Sequence, residues 1–266
     1  MVPVRAGIHL AAFVMLVASA PAAEPQVPAG SQADALLTRA RAALGGEARL
    51  GAVRTFALRG SIARGAGSSQ DYGHFRIECR LPDGYVRFKT ITSAAAAGGA
   101  SVDVGGTSPT GVGAVGPSFS DHGATLGFEG PRLVYEPHFA DARRMVRAAP
   151  SVVEALLLEA RREFVRLTLA LFATSFAGAP VQFAADPDEA NALIVTGVGA
   201  PIRVAFDPDT HLPARVDDIA YEDHREVSGV KVPFRMSLTG GGSTLEVWTL
   251  KEVRINVPFD GAGGRR

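Results

Sequence analysis

The residues with the most evident chemical capability fall in one short run, YEDHREVSGVKVPFRM, Tyr221 to Met236. Glu222, His224 and Glu226 are spaced two apart. On a β-strand that spacing puts two carboxylates and an imidazole on one side, a donor set that suits a divalent metal. Asp223 and Arg225 would then charge the other side as well, which is the pattern of an exposed hairpin end. A metal centre also needs further ligands held in geometry, and no second His-rich segment supplies them. Ser228 and Lys231 reproduce the S-x-x-K spacing of a class of serine nucleophiles. In those enzymes the serine opens a helix, so the lysine one turn later points at it. Here Ser228-Gly229 lies between two strand-like patterns, and residues three apart on a strand face opposite ways. The run therefore reads mainly as a hairpin turning at Ser-Gly.

Other chemical signals are weaker. The chain has no H-E-x-x-H, G-x-S-x-G or P-loop pattern. His122, His138 and His211 fall in predicted loops with nothing in their spacing to bring them together. Asp207 to Thr210, DPDT, is turn chemistry closing a strand. Cys79 is the only cysteine, so no intrachain disulfide forms, and its place on an apolar strand face predicts an inert buried thiol. No catalytic residue, metal ligand or cofactor site is assigned from sequence.

The elements that position these residues begin after a leader. MVPVRAGIHLAAFVMLVASAPAAEP has Arg5, an apolar run from Ile8 to Val17 and then small residues, the three-part plan of a secretory signal peptide. The expected organisation is a signal peptide over 1–23, a flexible leader over 24–32, one domain over 33–260 and a flexible tail over 261–266. That plan predicts a periplasmic or secreted protein. Lys and Arg number 27 and Asp and Glu number 27, with no basic block, which argues against a nucleic-acid surface.

Gln32 to Leu44 reads as a helix, with Leu36, Ala40 and Ala43 or Leu44 at helical spacing and Gly45-Gly46 as the stop. Three strands follow. Phe56, Leu58, Gly60 and Ile62 share one parity; Phe75, Ile77, Cys79 and Leu81 share the next; Val86 and Phe88 are expected dry, with Arg87 and Lys89 wet. Residues 92–127 are dominated by Ala, Gly and Ser and predict a mobile loop with short strands at Ser101–Val104 and Ala124–Phe128. A small hairpin over GFEGPRLVYEP comes next. Asp141 to Phe176 is then expected helical, with Pro150 at a break or first turn. Val153, Leu157, Ala160, Phe164, Leu167 and Leu171 make its apolar stripe, and Glu159, Arg162, Glu163 and Arg166 its polar one. From Pro180 four or five strands return, including Ile202, Val204 and Phe206 on one inward face and Val230, Val232, Phe234, Met236 and Leu238 on another. Pro233 suggests that this last strand is an edge or carries a bulge.

The order predicts an α+β fold: an incurved antiparallel sheet, a half-barrel, with helices packed on its concave face. The candidate apolar cavity is lined by Phe56, Leu58, Phe75, Ile77 and Phe88 from the first strands. Phe164, Leu167 and Leu171 of the long helix face them, and Val204, Phe206, Phe234, Met236 and Leu238 complete it from the later strands. These side chains either fill one another's gaps or leave room for an acyl chain or apolar peptide.

Several segments resemble, in order along the mature chain, the periplasmic outer-membrane lipoprotein carriers and the wider lipoprotein-sorting-like proteins of LolA/LolB-like fold. They are ALGGEARLGAVRTFALRGSI at Ala43–Ile62, GFEGPRLVY at Gly127–Tyr135, VAFDPDTHLPARV at Val204–Val216, REVSGVKVPFRM at Arg225–Met236 and LKEVRINVPF at Leu250–Phe259. The resemblance implies a half-barrel with a helical lid that binds lipid acyl chains or acylated protein without catalysis, in peripheral contact with a membrane. It makes the Asp207–Pro213 and Ser228–Pro233 segments sheet turns. Two alternatives from other classes stand beside this reading: an envelope sensor or scaffold that binds a protein partner through the same fold, and a metal-dependent enzyme using Glu222, His224 and Glu226.

Overall fold

A computed structural model describes residues 29–65, 71–92, 124–137, 150–174, 181–240 and 243–261. The signal peptide, Ser101–Val104, His122, His138 and residues 141–149 lie outside the described residues.

Helix α1 (Ala29–Leu44) starts within the expected leader and buries Ala33, Leu36, Ala40 and Leu44. It stops at Gly45 and Gly46, both at positive φ, where the Gly46 N–H reaches back to the Arg41 carbonyl at 2.9 Å. A single turn, α2 (Glu47–Gly51), leads into the sheet. The strands are β1 (Thr55–Arg64), β2 (Asp71–Arg80), β3 (Gly84–Thr92), β4 (Ala124–Glu129) and β5 (Arg132–Pro137). After helix α3 (Pro150–Phe172) come β6 (Gln182–Ala185), β7 (Ala192–Thr196), β8 (Ile202–Phe206), β9 (Pro213–Val216), β10 (Ile219–Val227), β11 (Val230–Gly240) and β12 (Ser243–Ile255).

All twelve strands form one antiparallel sheet in the order β5-β4-β3-β2-β1-β12-β11-β10-β9-β8-β7-β6. Its edges, β5 and β6, do not pair with each other among the described residues, so the sheet is open. The expected α+β half-barrel is therefore the observed architecture, with more strands in its second half than the pattern indicated. The curvature follows from α3, which touches β4 and β5 near one edge and β9 toward the other. Helix α1 lies on β6 and β11.

Pro150 occupies the first turn of α3, where its missing N–H costs nothing. The C-terminal half of this helix is buried nearly all round: Phe164, Val165, Leu167, Leu169, Ala170, Leu171 and Phe172 are each at most 6 % exposed. A helix that is apolar on every side belongs inside the fold, and each such large side chain contributes about 1.5–3 kcal/mol on burial. The helix ends at Ala173, whose φ of 48° closes the last turn.

Register corrects two sequence expectations. Tyr85, Arg87 and Lys89 pair with Cys79, Ile77 and Phe75, so all six share the concave face. Arg87 and Lys89, expected wet, are 8 % and 4 % exposed. Phe88, expected inside, pairs with Arg76 and Thr125 on the outer face and is only half-buried. β11 is not an edge either: it lies between β10 and β12, with an irregularity after Leu238.

Candidate functional site

The run from Tyr221 to Met236 comprises most of β10, a tight turn and much of β11. Ser228 and Gly229 stand at φ 52° and 79°, the pair of positive values a two-residue hairpin turn needs. Glu222 pairs with Arg235 at 3.0 Å across the hairpin, and Arg225 grips Asp223 through two contacts of 3.0 and 2.6 Å. Among the described residues no group of His, Cys, Asp or Glu side chains could hold a metal ion. Burial, with Lys231 nearby, holds the His224 imidazole below its ordinary pKa. Cys79 is fully buried, and desolvation pushes its thiol well up.

The concave face carries a second set of groups that the sequence concealed. Glu163 of α3 accepts hydrogen bonds from Arg87 at 2.5 Å and from the Tyr85 hydroxyl at 3.0 Å. Lys89 spans β2 and β1 to reach both Glu246 oxygens, at 2.8 and 3.0 Å. The Trp248 indole donates to the same carboxylate at 2.9 Å, and Arg64 stands 3.4 Å from it. Burial raises the pKa of Glu163 against the lowering pull of Arg87. For Glu246 burial also pushes upward, but Lys89, Trp248 and Arg64 outweigh it and the carboxyl is held low. On the other flank of α3, Arg162 and Arg166 each reach Asp217 at 2.9 Å, and Asp217 also accepts the Arg203 N–H. The polar stripe expected to face solvent thus pins α3 to both arms of the sheet. The side-chain partners of these α3 residues lie 51 to 78 residues away in sequence.

The apolar residues assigned from sequence meet one another inside. Phe56, Leu58, Phe75, Ile77, Phe164, Leu167, Leu171, Val204, Phe206 and Met236 are all buried, while Phe234 and Leu238 are half-buried. Between Phe56, Leu58, Val232 and Val253 of the sheet and Leu171 and Phe172 of α3 there remains only about 10 Å³, room for one water at most. A larger cavity of about 380 Å³ opens beside it. Leu37 and Arg41 of α1, Glu47, Leu50 and Gly51 of α2, Phe172 to Thr174 at the end of α3, and Phe183 of β6 line it. None of the residues assigned from sequence does. Phe172 borders both spaces and packs edge-on against Phe56 at 5.4 Å between centroids. Leu37, Leu50 and Phe172 carried the usual apolar signal of core positions, which does not mark a cavity wall.

No protein-family model matches the sequence, and no curated protein matches it. Among solved structures, the chain is similar to a LolA superfamily protein from Nitrosomonas europaea, at 11 % identity and a TM-score of 0.42, over 86 % of this chain and 95 % of that one. It is also similar to a DUF1329 family protein from Desulfovibrio piger, at 9 % identity and a TM-score of 0.40, over 88 % of this chain and 98 % of that one. The likeness is one of fold alone. No helix among the described residues is long and apolar enough to cross a membrane.

Proposed function

We propose that this protein is a non-catalytic binder and carrier of a hydrophobic ligand, a lipid acyl chain or an acylated protein, working in the periplasm or outside the cell. One observation carries the reading: a cavity of about 380 Å³, walled largely by apolar side chains, ends at Phe172 against the apolar seam between α3 and the sheet. That volume lies within the range of small-ligand pockets, roughly 300–1,000 Å³. The first part of a chain would occupy the cavity. Further methylenes would enter the seam between Phe56, Leu58 and Leu171 when Phe172 turns aside and α3 moves outward. Each buried methylene contributes about 0.8 kcal/mol, so a long chain gains on the order of 10 kcal/mol before ordering costs. Part of that gain is spent on displacing α3, which keeps binding reversible. Glu163, Arg162 and Arg166 are taken up in holding α3, Lys89 and Glu246 in joining β3 to β12, and the run from Glu222 to Glu226 in a hairpin, so the reading assigns no catalytic residue.

The test is to export the protein, purify it without detergent, extract it with organic solvent and analyse the extract, then titrate the stripped protein with a fluorescent fatty-acyl probe. Co-purified acyl lipid, or saturable probe binding near one equivalent, is expected. Absence of both overturns the proposal.

A further inference from the structure

The wall of this cavity is not uniformly apolar. Arg41 is its only basic residue among the described residues, and its side chain is 19 % exposed, whereas Glu47 beside it is 77 % exposed. The guanidinium therefore faces the cavity wall while its counter-ion faces water. Arg41 holds Glu47 in a fork: Nε donates to one carboxylate oxygen at 2.6 Å and Nη2 to the other at 2.7 Å. Nη1 donates to the Phe172 carbonyl at 2.9 Å, so the cation is also fixed against the end of α3. Three of its five N–H groups are thus directed at described partners. The Glu47 carboxyl is held below its ordinary pKa by Arg41 and stays ionised at neutral pH.

An arginine fixed on one side by a main-chain carbonyl and forked on the other toward a carboxylate is already arranged for a planar carboxylate. Its present carboxylate belongs to an exposed side chain on a five-residue turn. Exposed pairs of this kind are easily exchanged, because water competes for both ions. Leu37, Leu50 and Phe183 line the same cavity as Arg41 and Glu47.

Resting on the carrier reading, we propose that the cavity selects a single-chain alkyl carboxylate, a free fatty acid, whose head displaces Glu47 from Arg41 while its tail covers Leu37, Leu50 and Phe172. The exchange is one carboxylate for another, with no covalent change. A neutral alcohol of equal length gains only the tail contacts, and a cationic amphiphile meets Arg41 as a like charge. Glu47 acts as an internal competitor, so the empty protein keeps its half-buried guanidinium paired.

The experiment titrates the full mature chain at neutral pH with dodecanoate, dodecanol and dodecyltrimethylammonium, each below its micelle concentration, by calorimetry. A charge-assisted fork should favour dodecanoate over dodecanol by about tenfold or more, with the ammonium weakest. Arg41→Gln should bring the dodecanoate-to-dodecanol ratio near one. Glu47→Gln removes the competitor and should tighten dodecanoate severalfold, an effect that a purely structural Arg41–Glu47 pair would not give. Should Arg41→Gln fail to fold, Glu47→Gln decides alone. Equal binding of dodecanol and dodecanoate, or no tightening in Glu47→Gln, overturns the head-group assignment and leaves the carrier reading standing. Binding of none of the three amphiphiles overturns both.

Discussion

Replacing Glu163 by Gln tests how α3 is held in the half-barrel. The carboxylate is 17 % exposed and accepts from Arg87, itself 9 % exposed, and from Tyr85. The substitution keeps one acceptor but removes the only carboxylate in contact with Arg87 among the described residues. The Arg87 Nε already has no hydrogen-bond partner among the described residues. A buried ion robbed of its counter-charge costs about 3–5 kcal/mol, and the retained amide oxygen places Glu163→Gln at the lower end, near 3 kcal/mol. For a chain of this size that lowers Tm by roughly 6–12 °C. Urea unfolding followed by Trp248 fluorescence and far-UV dichroism should show a lower midpoint at unchanged slope. The double variant Arg87→Met with Glu163→Leu should recover to within about 1–2 kcal/mol of the parent, because it removes both desolvated ions and leaves only the buried Tyr85 hydroxyl without its acceptor. A loss below about 1 kcal/mol in Glu163→Gln, or a double variant as unstable as the sum of its single changes, would refute the reasoning.

Three further outcomes follow from other parts of the fold. Phe172→Ala should cost about 3–5 kcal/mol in unfolding experiments, and by joining the cavity to the seam it should raise affinity for longer alkyl probes relative to shorter ones. Glu246, whose pKa is lowered from 4.5, contributes stability that is present above about pH 4.5 and lost as pH falls through its folded value. Glu246→Gln should flatten that acid limb in urea midpoints measured between about pH 5 and pH 3. Gly45→Ala should destabilise by well over 1 kcal/mol in the same assay, since the residue has a φ of 139° and an added Cβ would stand 2.3 Å from the Gly229 carbonyl oxygen.

What the chain displays in one dimension, it displays because neighbouring residues decide it. The alternation through Phe75, Ile77 and Cys79 and the turn at Ser228-Gly229 are local matters of period and backbone conformation, and both were legible. So were the break at Gly45-Gly46 and the helix-opening role of Pro150. β3 was not, because its period of two fits either face equally well. Arg87 and Lys89 turn inward because Glu163 and Glu246 arrive from α3 and β12 to partner them, while Val86 is buried on the other face and only Phe88 there is left half-buried. The polar stripe of α3 was legible, but the same distance in sequence hid its partners Tyr85, Arg87 and Asp217. Most of the side chains expected inside are buried, but Phe88 falls on the outer face and Phe234 and Leu238 are only half-buried. Whether such a set closes or leaves space depends on how α1, α2 and the end of α3 meet, and no periodicity records that. The cavity accordingly falls at Leu37, Arg41 and Phe172, and not at the centre of the sheet.

The most direct measurement places a guest chain inside the protein. Isotope-labelled dodecanoate is added to methyl-labelled protein, and intermolecular nuclear Overhauser effects are recorded. The account predicts contacts from the head-proximal methylenes to Leu37 and Leu50, and from the terminal methyl to Leu58, Leu171 and Val232 in the seam beyond Phe172. Saturable binding without any contact to those three interior residues, or no binding at all, would contradict it.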